Sequence, residues 1–214
     1  MTYLQLVNAV MKRLRESTVT SVDQNTYSAL VGELVNESKR IVENAWDWEA
    51  LRSDITFNTS DGDYIYTLSG SRDRVTVLDA INDTSNKRLR YKTPQEFKHF
   101  KNLSTSSTGS PSFFTYAGFE STHTQIHVHP TPDGVYSLIF TSVIRPDDLS
   151  SDSATISIPT APVIQYATAL AARERGETGG TSAAELFGLA DRALSDAISF
   201  DAAKHPEETV YRAV

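Results

Sequence analysis

Cysteine is missing from the chain, which excludes disulfides, thiolate metal ligands and a cysteine nucleophile. The absence fits a reducing compartment. No uncharged apolar run is long enough to span a bilayer, so no membrane segment is expected. The start, Met1-Thr2-Tyr3-Leu4, opens no basic region followed by an apolar core, and no signal peptide is expected. Positive charge is scarce: 20 Lys and Arg stand against 27 Asp and Glu, a formal net charge of −7. Phosphate neutralisation supplies most non-specific affinity for nucleic acid, so this balance argues against a general nucleic-acid binder. The one basic cluster, Lys87, Arg88, Arg90 and Lys92, reads as a solvated strand and turn, with a phosphate track as the alternative. Tryptophan occurs only twice, at Trp46 and Trp48. The 214 residues suffice to bury a sizeable core without covalent staples.

What is present is strong periodicity. In 27–51, Tyr27, Val31, Leu34, Ser38, Ile41, Ala45 and Trp48 recur at alternating steps of four and three. That spacing puts them on one side of an α-helix. Leu30, Val35 and Val42 widen the stripe, and Glu33, Glu37, Lys39, Arg40 and Glu43 supply the expected wet face. The pattern then changes period. Ile55, Phe57 and Thr59 alternate with polar residues, the mark of a strand. Trp46 and Trp48 therefore stand where helix gives way to sheet and read as its anchor, both rings in the core. An exposed stacking site is the alternative.

Tyr3, Val7, Val10 and Leu14 form an earlier helical stripe, so the N-terminus reads as an αα-hairpin. From residue 54 the pattern is β. Asp61-Gly62 is a turn signal between 55–59 and 64–68, which reads as a hairpin. Val75, Val77 and Ile81 begin another strand, and Leu89 and Tyr91 lie on a returning one. Thr93-Pro94-Gln95-Glu96 starts a short helix over 94–100. The Ser/Thr-rich stretch 102–112 reads as a loop, and three strands follow over 113–119, 124–129 and 136–144. Helix returns after Pro162, and the box Ser182-Ala183-Ala184-Glu185 opens a last helix with Leu186, Leu189, Ala190, Ala193, Leu194, Ala197 and Ile198 inward. The expected fold class is α+β: a helical bundle from N- and C-terminal α-hairpins, with an inserted antiparallel β-sandwich-like lobe. The expected parts are 1–53 and 160–203 for the bundle, 54–159 for the lobe and 204–214 for a C-terminal arm.

Candidate chemistry is sparse. His127 and His129 share one strand face, and His123 is the nearby third candidate ligand. No carboxylate spacing supports a metal, so surface histidines are expected; His99 and His205 are isolated. Asp61 with Asp63, and Asp147 with Asp148, sit at turn signals, where Asp bonds local backbone. Gly179-Gly180-Thr181 lacks the lysine and spacing of a phosphate loop and reads as a helix stop. No serine lies in a nucleophile elbow. No catalytic residue, cofactor or metal site is expected.

The ordered set of elements resembles a known family. Ala45-Trp46-Asp47-Trp48-Glu49 leads into an alternating strand and Asp61-Gly62-Asp63-Tyr64. His129-Pro130-Thr131-Pro132, Arg145-Pro146, Ile158-Pro159 and the helix opening Val163-Ile164-Gln165-Tyr166 follow. This order is similar to that of the head-to-tail adaptors of short-tailed phages, the tail tubular protein A or gatekeeper-like family. The resemblance covers most of the chain, except the Ser/Thr-rich loop and the C-terminal tail. It implies a structural protein of the virion neck, made in the host cytoplasm. It implies a twelve-fold homo-oligomeric ring that joins the portal protein to the tail nozzle protein, with DNA passing through without sequence-specific binding. It implies no enzyme and no cofactor. An acidic lumen would repel passing DNA. The tail then reads as a portal-binding arm, with Val210, Tyr211, Arg212 and Val214 as contacts, since Tyr and Arg often anchor interfaces. Two other classes stand beside this reading. One is a carbohydrate- or ligand-binding β module using Tyr64, Tyr66, Phe113, Phe114, Tyr116 and Phe119. The other is a hydrolase using Asp61, Asp63, Asp147 or the histidines.

Overall fold

The computed structural model describes residues 1–71, 74–102, 107–176 and 182–204. Its α-helices are α1 (Tyr3–Arg13), α2 (Thr26–Ala45), α3 (Pro94–Asn102), α4 (Thr160–Glu174) and α5 (Ser182–Ala202). Its strands are β1 (Arg52–Asn58), β2 (Ile65–Thr67), β3 (Val75–Asn82), β4 (Lys87–Arg88), β5 (Arg90–Tyr91), β6 (Phe113–Glu120), β7 (His123–His129) and β8 (Ser137–Ile144). The chain is thus mixed α+β, as its periodicities require. It divides into two compact units, Met1–Ala50 with Asp147–Val214, and Leu51–Pro146.

In the first unit α4 packs on α1, α2 and α5. It is buried on nearly every side from Val163 to Ala172, and its alanines let neighbouring helices approach closely. α1 presents Tyr3, Leu6, Val7, Val10 and Met11 inward, close to the stripe its sequence shows. α2 departs from expectation in two ways. Its buried face is Ser28, Val31, Gly32, Val35, Ser38, Lys39, Val42 and Glu43, while Ile41 is exposed. The helix is turned so that Val35 and Val42 lie at the centre, and two charges assigned to the wet face are inside. It also stops at Ala45, because Trp46 takes an extended conformation (φ −153°, ψ 155°). The chain then doubles back, and the Trp48 indole N–H donates to the Val42 carbonyl at 2.8 Å. That bond satisfies a C-terminal carbonyl that the helix itself leaves open.

The segment 147–159, expected in the β lobe, belongs to the helical unit. Its backbone is received by side chains of α2. Lys39 Nζ donates to the Asp147 carbonyl at 2.9 Å, and Asn36 both donates to the Leu149 carbonyl and accepts from its N–H. Further on, Tyr3 N–H donates to the Ala154 carbonyl, and Asp152 accepts from Val22 N–H. Leu149, Ile156 and Ile158 are buried there. The apolar residues at 156 and 158 look like a strand in sequence, but the segment is an extended strap with one bridge, Thr155 to Thr2.

The second unit holds two four-stranded sheets, ordered β1-β8-β3-β4 and β2-β7-β6-β5. Among the pairs of named strands in the described residues, only β5–β6 is parallel. Ile55, Ala80, Leu138 and Phe140 from one sheet meet Phe114, Ile126 and Val128 from the other in a common core. The hairpin expected around Asp61-Gly62 does not form: β1 pairs with β8, and β2 pairs with β7 in the other sheet. Gly62 still makes its turn at φ +81°, a conformation glycine adopts without steric cost. The turn carries the chain across from sheet to sheet. Its N–H donates to the Pro132 carbonyl at 2.9 Å, which ties this crossing to the one between β7 and β8. The expected strand through Leu89 and Tyr91 is likewise split. Residues 87–88 serve one sheet and 90–91 the other, with Leu89 buried between them.

Candidate functional site

Two histidines of β7 sit in an aromatic layer. His127 and His129 do share the outer face of β7, as their spacing demands. They are not surface residues, however. α3 lies over them, with Phe97 at 5.6 Å from the His127 ring and 5.9 Å from the His129 ring. Phe100 stacks on His129 at 5.6 Å, and Tyr64 meets His127 edge-on. Burial pushes both imidazoles below their ordinary value, and at His127 the nearby Lys101 adds to it. Neutral rings suit this aromatic layer, since a buried charge would lose its hydration. His123 opens β7. No group of three or more His, Asp or Glu able to hold a metal occurs among the described residues.

One member of each carboxylate pair has a structural contact. Asp63 belongs to a turn, its N–H donating to the Ser60 carbonyl and its carbonyl accepting from the Tyr66 hydroxyl at 2.9 Å. Asp148 takes a two-point ion pair from Arg40 of α2. The aromatics proposed for a ligand platform are dispersed. Phe114 is core, Tyr66 stacks on Phe57, Phe113 stacks on Phe100, and Phe119 is 63% exposed. Gly179, Gly180 and Thr181 lie outside the described residues, and so does His205.

The surface that looks unfinished is α5. Its expected inner face is only partly covered: Ala190 is buried but Leu189 is 48% exposed, and Phe200, outside that expected set, is 79% exposed near the end of the helix. A groove of about 390 Å³ runs beside this end, lined by Pro159, Ala161, Pro162, Ala193, Ala197 and Phe200. Lys204, the last described residue before the C-terminal segment, also lines it. The end of α5 is fixed in place by Asp201. Its carboxylate accepts from Glu49 N–H at 3.0 Å, from Lys204 Nζ at 2.8 Å and from the Trp46 side chain. Burial pushes this carboxyl up, but the bonds from Lys204, Glu49 and Trp46 outweigh burial and hold it below the ordinary carboxylate value. Trp48 is a core ring, whereas Trp46 is at the surface, so the two expected core rings have different duties. The sequence shows α5 as amphipathic but not that its apolar face is left over, because coverage depends on how many neighbours a helix finds. The arm residues Val210, Tyr211, Arg212 and Val214 lie outside the described residues.

An exposed apolar helix face beside a groove is the kind of surface at which proteins make contacts. Among curated proteins, no relative matches the chain. The model of the SU10 adaptor protein family matches it over residues 1–210. The chain belongs to the SU10 adaptor protein family.

Proposed function

We propose that this adaptor is a subunit of the ring that joins the portal protein to the tail nozzle protein in the neck of a virion, of the type found in short-tailed phages. The observation that carries the reading is the family match over nearly the whole chain. The ring is twelve-fold, and DNA passes through its lumen without sequence-specific contact. A net charge of −7 suits such a channel, because like charge keeps DNA from sticking to the wall. The partly covered face of α5 supports an assembly role, since a contiguous exposed apolar surface marks contact sites. Trp48 and Trp46 anchor the turn out of α2, one as packing and the other through Asp201.

The C-terminal arm docks on the portal through Val210, Tyr211, Arg212 and Val214. Tyr and Arg are common interface anchors, and Val210 and Val214 supply apolar contacts beside them. The test compares portal binding by the full chain, by a chain lacking 207–214 and by Tyr211→Ala. Binding falls sharply in the deletion and measurably in the point variant, while circular dichroism shows unchanged helix content. Wild-type portal binding by the deletion removes the arm from the proposal and leaves α5 as the docking surface. Failure of the full chain to join portal and nozzle proteins of its own virus overturns the ring reading.

A further inference from the structure

The β unit carries a groove of about 730 Å³ between the edges of its two sheets. β4 covers only the Ile81 and Asn82 end of β3, and β5 covers only Phe113 and Phe114 of β6. Among the described residues, the stretches 75–79 and 115–120 therefore have no strand neighbour on that side. The two open edges lie close together, since Val77 N–H donates to the Tyr116 hydroxyl at 3.2 Å. Both are bulged, at Leu78 and at Ala117. Bulges discourage simple extension of a sheet but re-aim side chains. Leu78, which has no opposite residue in β8, is exposed and lines the groove together with the exposed ring of Tyr91.

The charge of this groove is opposite to that of the chain. Lys87, Arg88 and Arg90 line it, in a protein whose net charge is −7. Arg88 is held by Asp79 at 2.7 Å. Lys87 and Arg90 have no side-chain partner among the described residues. Two unengaged cations beside an apolar wall suit a ligand that brings both carboxylates and apolar side chains. A nucleic-acid backbone would leave the apolar wall unused and would need a longer row of cations. We propose that this groove receives an extended, acidic segment of a partner protein, with its carboxylates on Lys87 and Arg90 and an apolar side chain between Leu78 and Tyr91. Alternate residues of an extended chain point to opposite sides. One side of the segment can therefore face the Leu78 and Tyr91 wall while the other meets the cations. The inference concerns the β unit and does not depend on what the C-terminal arm engages.

The probe is a short synthetic peptide of alternating Glu and Val, titrated into the full-length protein and followed by amide NMR shifts. Its Lys-Val counterpart and a short DNA duplex serve as comparisons. The Glu-Val peptide is expected to shift the amides of Leu78, Arg90 and Tyr91, and to bind less tightly as salt is raised. The double variant Lys87→Glu with Arg90→Glu weakens it about ten-fold or more, as loss of charge complementarity predicts. Leu78→Asp weakens it independently, and both variants keep the melting profile of the parent. Absence of shifts, or equal affinity in the double variant, overturns the proposal. So does a DNA duplex that shifts these amides while the peptide does not, or protection of the same amides by self-association alone.

Discussion

At the scale of single residues, the most informative pair is Lys39 and Glu43. Both side chains are 1% exposed, with Nζ 2.9 Å from Oε1, and both fall where sequence periodicity puts solvent. A lone buried charge is costly, whereas a hydrogen-bonded pair neutralises itself locally. Lys39 also donates to the Asp147 carbonyl, so the pair orients the strap that follows the β unit. Replacing one member takes the nearest countercharge from the other, which stays buried. Lys39→Met is expected to cost about 3–5 kcal/mol, while Lys39→Met with Glu43→Leu costs about 1 kcal/mol or less. Urea unfolding of the three proteins checks this, and equal losses for single and double variants would contradict it. Gly32 is also fixed by its surroundings. A Cβ there would stand 2.5 Å from the Tyr3 hydroxyl and 2.7 Å from a Val22 methyl. The closeness of α1 to α2 thus depends on a missing side chain.

At the scale of elements, α3 is the piece whose duty the sequence left unstated. Thr93-Pro94-Gln95-Glu96 announces the helix, and the cap is present: Glu96 accepts from Thr93 N–H and Thr93 Oγ1 from Glu96 N–H. Only the fold shows that Phe97 and Phe100 roof His127 and His129. Both imidazoles titrate below their ordinary value because burial favours the neutral ring. The unfolded chain binds protons from about pH 6.5 downward, before the folded one does. The stability from neutral rings is therefore present above about pH 6.5 and is lost as pH falls through the lower folded values. Lys101 over the Tyr64 ring and Lys92 near Phe100 and Phe113 offer a new imidazolium only repulsion. Hydrogen exchange in 94–102 is expected to speed up at about pH 5 relative to about pH 7.5, more than in α2. Double replacement of His127 and His129 by Phe removes that extra sensitivity. Unchanged exchange in the parent would show that α3 is not held this way.

At the scale of the whole molecule, the order helices, strands, helices becomes an insertion. The stretch 51–146 enters and leaves on neighbouring strands, with Arg52 opposite Val143, and it has a core of its own. Those two facts predict that Leu51–Pro146 folds when expressed alone. A dispersed amide spectrum and one cooperative melting transition are the expected result; a collapsed, random-coil spectrum would contradict it. The insertion also makes sense of the strap 147–159. After the last strand the chain must return to the helices, and the side chains of α2 and α1 give its backbone the partners that a sheet would otherwise supply.

The sequence by itself determined most element types, the strap at 156–158 excepted, because a 3.6-residue or two-residue period is a local property. The α1 stripe, the alternation in β1, β7 and β8, and the Pro94 start of α3 all follow from it. It also placed His127 and His129 on one face and displayed the basic cluster at 87–92. Only the tertiary structure decided which strands pair, since Asp61-Gly62 makes the same turn in a hairpin and in a crossover. Only it decided which side of α2 is inside, because Lys39 and Glu43 can be buried once they meet each other. The leftover apolar face of α5 and the cationic groove beside Leu78 are likewise products of packing. They exist because of which neighbours each element found, and no local pattern encodes a neighbour.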